Sequence, residues 1–136
     1  MDMSKINLLA VFVAALSSFV IGAVWYSPIL FAKAWMRENG FSEEDMKNAN
    51  MGKIFGLSFL LALVMAFNLA AFLAEPAEPN LAWGMTAGAL AGIGWVAAAI
   101  GIIYLFERRS LKLFLINAGY QAVTFIVMGG ILGVWK

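Results

Sequence analysis

Residues 6–26 carry no charged side chain. A helix of that length covers about 30 Å at about 1.5 Å per residue, which is the thickness of a bilayer's hydrocarbon core. Inside hydrocarbon no water can satisfy backbone N–H and C=O groups, so such a segment has to bond internally as a helix. Three more apolar runs follow at residues 52–74, 81–106 and 111–135, with Lys53 and Lys112 near the starts of the second and fourth spans as the only charges within them. The expected fold is all-α: one integral-membrane domain over residues 1–136, built as a four-helix transmembrane bundle. Composition agrees, with 63% hydrophobic and 12% charged residues, about half the charge of a soluble domain. A secretory signal is the competing reading of the first run, because Lys5 precedes it and Ala14-Ala15-Leu16-Ser17-Ser18 offers small residues for cleavage. The apolar stretch, however, continues well past that point.

The connections carry their own signals. Ser27-Pro28 reads as an N-cap with proline at the first helical position, which predicts a short amphipathic helix over residues 28–38. Its Ile29, Leu30, Phe31, Ala34, Trp35 and Met36 are interleaved with Lys33 and Arg37, a pattern suited to the headgroup plane. Asn39-Gly40 stops it. Ser42-Glu43-Glu44-Asp45 predicts a second capped helix, expected to run through Lys47 into the second span. Glu75-Pro76-Ala77-Glu78-Pro79-Asn80 ends that span, since two prolines in four residues cannot continue a helix. Glu107-Arg108-Arg109-Ser110 is the exit of the third.

Cations gather in short cytoplasmic loops. Lys33, Arg37, Lys47, Lys53, Arg108, Arg109 and Lys112 fall at one end of the spans, against Lys5 and Lys136 at the other. Seven against two places both chain ends outside and the amphipathic helix in the first cytoplasmic loop. Trp25, Tyr26, Trp83, Tyr104 and Trp135 mark the interfaces.

Lipid supplies little hydrophobic drive between helices, so small residues that let backbones approach carry much of the association. Gly84, Gly88 and Gly92 recur at spacings of four in the third span, as do Ala14, Ser18 and Gly22 in the first and Gly129 and Gly133 in the fourth. These are predicted contact faces. They are more numerous than one bundle needs, which predicts a homo-oligomer, a dimer or a trimer. Polar residues at depth form a candidate intramembrane cluster: Asn117, Tyr120, Gln121 and Thr124 share a face of the fourth helix. Ser17, Ser18 and Trp95 are expected at similar depth, with Asn68 nearer the outer surface. Such groups form either interhelical hydrogen bonds or a small polar pocket or conduit.

With no Cys and no His, thiol chemistry, the commonest metal ligand and the usual neutral-pH base are all missing. Adjacent acids at 43–45 point in different directions on a helix start. No metal, no cofactor and no catalytic residue is therefore assigned, and a net charge of +1 offers no nucleic-acid surface. Arg108, Arg109 and Lys112 form the one dense cationic cluster, a solvated turn or a site for anionic lipid headgroups. Trp25, Tyr26, Ser27, Pro28, Lys33, Trp35 and Arg37 form a candidate interfacial docking segment.

The Trp25-Tyr26-Ser27-Pro28 motif, followed by Phe31, Lys33, Trp35 and Met36, resembles a family of small bacterial integral-membrane proteins catalogued only as a domain of unknown function. Met51-Gly52-Lys53-Ile54-Phe55-Gly56 and Asn117-Ala118-Gly119-Tyr120 support it. The resemblance implies four membrane helices, and it brings no activity or substrate. The expectation is a non-catalytic structural or accessory protein of the bacterial inner membrane, meeting the lipid bilayer, its own copies and a membrane-protein partner. A small channel or transporter for a neutral or weakly polar solute is the alternative, and an enzyme acting on lipid or quinone the third reading.

Overall fold

The computed structural model describes residues 3–75 and 78–136, and every regular element among them is helical. A short 3-10 turn, Met3–Lys5, precedes α1 (Leu8–Trp25), α2 (Ala32–Asn39), α3 (Glu43–Lys47) and α4 (Met51–Phe72). The third crossing is α5 (Leu81–Ala91), a π-helical stretch Gly92–Ala97 and α6 (Ala98–Glu107); α7 (Leu111–Val134) is the fourth. All four crossings are long and apolar enough to span a membrane, and their ends fall within two residues of the sequence reading. Within the turn read at residues 75–80, Pro76 and Ala77 lie outside the described residues.

Each crossing opens on a side-chain cap, which satisfies one of the orphan N–H groups of a helix start. Asn7 Oδ1 accepts from Ala10 N at 3.1 Å, Asn50 Oδ1 from Lys53 N at 3.1 Å, Asn80 Oδ1 from Trp83 N at 2.9 Å and Ser110 Oγ from Leu113 N at 3.0 Å.

Three local expectations need correction. The surface helix starts at Ala32, not Pro28, because Ser27–Phe31 are spent on a reversal: Leu30 N and Ala32 N both donate to Ser27 O, at 3.0 and 3.1 Å, and Phe31 N donates to Trp25 O. Ser27 is thus no N-cap, and its hydroxyl donates back to Val24 O at 2.7 Å. The helix at 42 does form with a complete capping box, Ser42 N donating to Asp45 Oδ2 and Asp45 N to Ser42 Oγ, bonds that hold the Asp45 carboxyl below its usual range. It stops at Lys47 instead of entering the second span, because Asn50 adopts extended backbone and caps α4 afresh. The third crossing is not one regular α-helix, since its middle widens into π turns where Gly92 and Gly94, two residues without Cβ, lower the resistance of the chain.

Side by side, α7 is the central helix. Its face toward the third crossing is a seam of bare backbone: a Cβ on Gly84 would overlap the carbonyl oxygen of Gly129 and lie 2.9 Å from Gly133 Cα, one on Gly88 would lie 2.8 Å from the Phe125 carbonyl carbon, and one on Gly92 2.8 Å from Phe125 Cβ. Each step of four along α5 therefore meets a step of four back along α7. The predicted stripe is a contact face, and it is satisfied within one chain. Asn80 N donates to Gly133 O at 2.7 Å and closes the seam at its end. On the other side α1 packs on α7 and on α4, with Ala10, Ala14 and Ala15 buried beside Ala62, Ala66 and Ala70. Large apolar side chains such as Leu61, Val64, Ile102 and Ile103 point outward, as lipid-facing positions do.

The seam generates a paired prediction. Gly84→Ala forces backbone apart and is expected to cost about 1–3 kcal/mol or more, read as a lower unfolding midpoint in mixed micelles. Gly94→Ala, with nothing within 4 Å of its added carbon, is expected to be neutral or to stabilise by up to about 1 kcal/mol.

Candidate functional site

Trp25 and Tyr26 end α1 at the membrane surface, and the reversal through Ser27–Phe31 turns both rings inward onto α7. The Trp25 indole N–H donates to Ile116 O at 2.8 Å, and its ring edge passes over Gly119, where a Cβ would stand 3.0 Å from Trp25 Cζ2. The Tyr26 hydroxyl donates to Asn117 Oδ1 at 2.6 Å, and Asn117 Nδ2 donates to the Tyr104 hydroxyl at 2.7 Å. Both ends of one amide thereby link α1, α6 and α7. One turn deeper, the Tyr120 hydroxyl donates to Ser18 O at 2.8 Å, and its ring fills the space left by Gly22. The two motifs carrying the family resemblance, residues 25–28 and 117–120, are thus halves of one junction.

Aromatic contacts extend the junction to the surface. Tyr26 lies edge-on to Tyr120, ring centroids 5.3 Å apart, and to Trp35 at 5.8 Å, while Trp35 meets Phe41 at 5.4 Å. Trp25 packs on Phe31 at 5.0 Å. Such pairs add about 0.5–1.5 kcal/mol each beyond the area they bury. The far end of α2 is fastened to the turn between α6 and α7: Ser110 Oγ donates to Glu38 Oε1 at 2.6 Å and Arg109 Nη1 to Asn39 Oδ1 at 3.0 Å. Arg109 also bonds Glu107 at 2.8 Å and lies over the Tyr104 ring, 5.5 Å from its centroid. The Glu107 carboxylate holds its guanidinium above the usual range.

The predicted groups separate accordingly. From the candidate polar cluster, Ser18, Asn117, Tyr120, Gln121 and Thr124 lie along the α1–α7 boundary. Thr124 is 1% exposed with its hydroxyl beside that of Tyr120, and Gln121 Oε1 is buried without a hydrogen-bond partner. Ser17 and Ser18 turn their hydroxyls onto Ala14 O and Ala15 O of their own helix. Trp95 is 74% exposed, because it rides the π-helical stretch away from α7. Asn68 is exposed on α4, at the edge of an outward groove of about 410 Å³ that Leu8, Val11, Phe12, Leu60 and Phe67 also line. Neither Trp95 nor Asn68 joins the cluster.

Within the docking segment, Trp25, Tyr26, Ser27 and Trp35 are half-buried against their own protein, while Pro28, Lys33 and Arg37 are exposed. In the cationic cluster Arg109 is engaged as described, and Arg108 and Lys112 are exposed. Sequence reasoning missed Tyr104, Glu38, Asn39, Ser110, Gly22 and Gly119 as parts of the junction. Gly119 stood inside the Asn117–Tyr120 motif and Gly22 in the small-residue stripe of the first span; Tyr104, Glu38, Asn39 and Ser110 are brought to the junction only by the three-dimensional turn.

Fold and junction together define a multi-pass helical membrane protein whose first surface loop is pinned to its central span. The chain belongs to the family described as protein of unknown function DUF1761, whose model matches residues 9–133 and so includes both halves of the junction. No curated protein and no solved structure matches the chain.

Removing one phenol hydroxyl leaves Asn117 Oδ1 without its donor, so Tyr26→Phe is expected to lower stability by about 1–2 kcal/mol. A double-mutant cycle with Asn117→Leu should return a coupling of about 0.6–1.7 kcal/mol, measured by unfolding in mixed micelles. Additive single effects would show that the bond contributes nothing.

Proposed function

We propose that the protein is a non-catalytic accessory protein of the bacterial inner membrane, working as a dimer or trimer with both chain ends outside. In this reading α2 is a platform for a membrane-protein partner. The observation that carries it is the way α2 is held: Tyr26 and Trp35 on one side and Glu38 and Asn39 at the far end tie it to α6 and α7, while Lys33 and Arg37 stay exposed one helical turn apart. Fastening a short helix this firmly, with its cations outward, prepares a surface whose ordering entropy is already spent before a partner arrives. The absence of Cys and His from the sequence supports a non-catalytic role. Oligomerisation is supported by the third crossing, where only Gly84, Ala87, Gly88 and Gly92 are buried, and by Gly94, whose open side leaves room for close approach.

A second reading, passage of a neutral or weakly polar solute, is favoured by the unpartnered Gln121 Oε1. Gln121 lies about 15 Å into the span from Leu111, and a polar group left single in hydrocarbon is costly.

Native mass spectrometry from lipid nanodiscs tests the first reading. The expected result is a dimer or trimer with a retained membrane protein, which the Lys33→Gln/Arg37→Gln variant releases without changing subunit number; a lone protomer, or a partner retained by the variant, would contradict it. For the second, Gln121→Leu should cut solute flux in proteoliposomes while the fold survives. Unchanged flux there removes the conduit.

A further inference from the structure

Two helices in this chain end in the same way, with unequal residues. At the end of α2, Gly40 takes positive φ (73°), Phe41 N donates to Met36 O at 2.9 Å and Gly40 N to Arg37 O. At the end of α6, Arg108 takes positive φ (59°), Arg109 N donates to Tyr104 O at 2.9 Å and Arg108 N to Leu105 O. This left-handed cap suits glycine, and a residue with a Cβ is disfavoured there. Arg108 is the one non-glycine residue with positive φ among the described residues. Glu107 pairs with Arg109, and among the described residues neither Arg108 nor Lys112 makes an ion pair. Both are exposed.

The surroundings indicate what compensates them. Leu105, Phe106 and Leu111, on both sides of the turn, are 80%, 86% and 70% exposed. Apolar side chains exposed directly beside cations belong at the boundary between acyl chains and headgroups, the level at which lipid phosphates lie. We infer that Arg108 and Lys112 form a binding site for the phosphate of an anionic phospholipid, with Arg109 excluded from it as the internal fastener of α2. The chain accepts the strained cap at residue 108 because a guanidinium is needed at that place, and its fork matches two phosphate oxygens.

The test follows from the strain. Purified protein is titrated with phosphatidylglycerol or phosphatidylcholine and bound lipids are counted by native mass spectrometry, with unfolding midpoints read in phosphatidylcholine alone. Each cation near a charged surface is worth about fivefold. Arg108→Gly is therefore expected to lower the preference for phosphatidylglycerol about fivefold, and Arg108→Gly with Lys112→Gln about 25-fold, while Arg108→Lys keeps most of it. In neutral lipid Arg108→Gly should leave the midpoint unchanged or raise it, because the cap is relieved. Glu107→Gln with Arg109→Gln, which removes the internal pair without changing net charge, should change the preference less than about twofold. An unchanged preference in Arg108→Gly, a lowered midpoint in neutral lipid, or a loss in the Glu107→Gln/Arg109→Gln variant equal to that in Arg108→Gly would each overturn the assignment. Full displacement of phosphatidylglycerol by millimolar inorganic phosphate would also overturn it, by making this a free-anion site.

Discussion

The contact on which the rest of this fold depends is backbone against backbone, where α5 crosses α7 through Gly84, Gly88 and Gly129. In hydrocarbon, apolar side chains gain little by leaving lipid for each other, so α5 has to be held by close approach and not by the area it buries. Removing side chains from both partners brings the peptide groups within van der Waals reach. Because glycine recurs every fourth residue on both helices, the approach also sets register. Only one antiparallel alignment lets Gly84 meet Gly129 while Asn80 N reaches Gly133 O. With one face committed to this seam, the remaining faces of α7 are free to receive α1 and, at the surface, α2.

Polar chemistry then does what hydrophobicity cannot do in lipid. Trp25, Tyr26, Tyr104, Asn117 and Tyr120 each place a donor or acceptor where it would be costly unpaired and find a partner on another helix or turn. Directionality matters here more than energy, because bonds worth about 0.6 kcal/mol on average specify one rotation of α1 about its axis. The same logic makes Gln121 conspicuous. It continues the stripe inward, and its Oε1 is left unpartnered there.

How much of this could be read from sequence follows from which forces are local. Span positions were legible because the hydrocarbon requirement acts on every residue of a run, and the α5 stripe because spacing four is the helix's own repeat. The cap at Ser42 was legible because a serine followed by acids is a local signal of a helix start. Pro28 misled, because a residue that fits a helix start fits a tight reversal equally well, and the Trp25 and Tyr26 rings docking onto α7 decided between them. Trp95 was misplaced because the π-helical stretch shifts the facing of everything after Gly92, and no local pattern announces it. Tyr104 was invisible as a partner of Asn117, since their meeting depends on how α6 leaves that stretch. In the docking segment Lys33 and Arg37 face outward, and the aromatic residues read as part of the same surface are the means by which the loop is held.

The central claim is that the first surface loop is a fixed part of the bundle and not a tether between spans. Hydrogen–deuterium exchange of the amides of α2 in lipid nanodiscs tests it most directly, because an eight-residue helix has no stability of its own in water. If Tyr26, Trp35, Glu38 and Asn39 hold it to α6 and α7, its amides exchange far more slowly than a free peptide's and lose that protection when Trp35 and Ser110 are both replaced by alanine. Exchange at free-peptide rates in the unmodified protein would contradict the account.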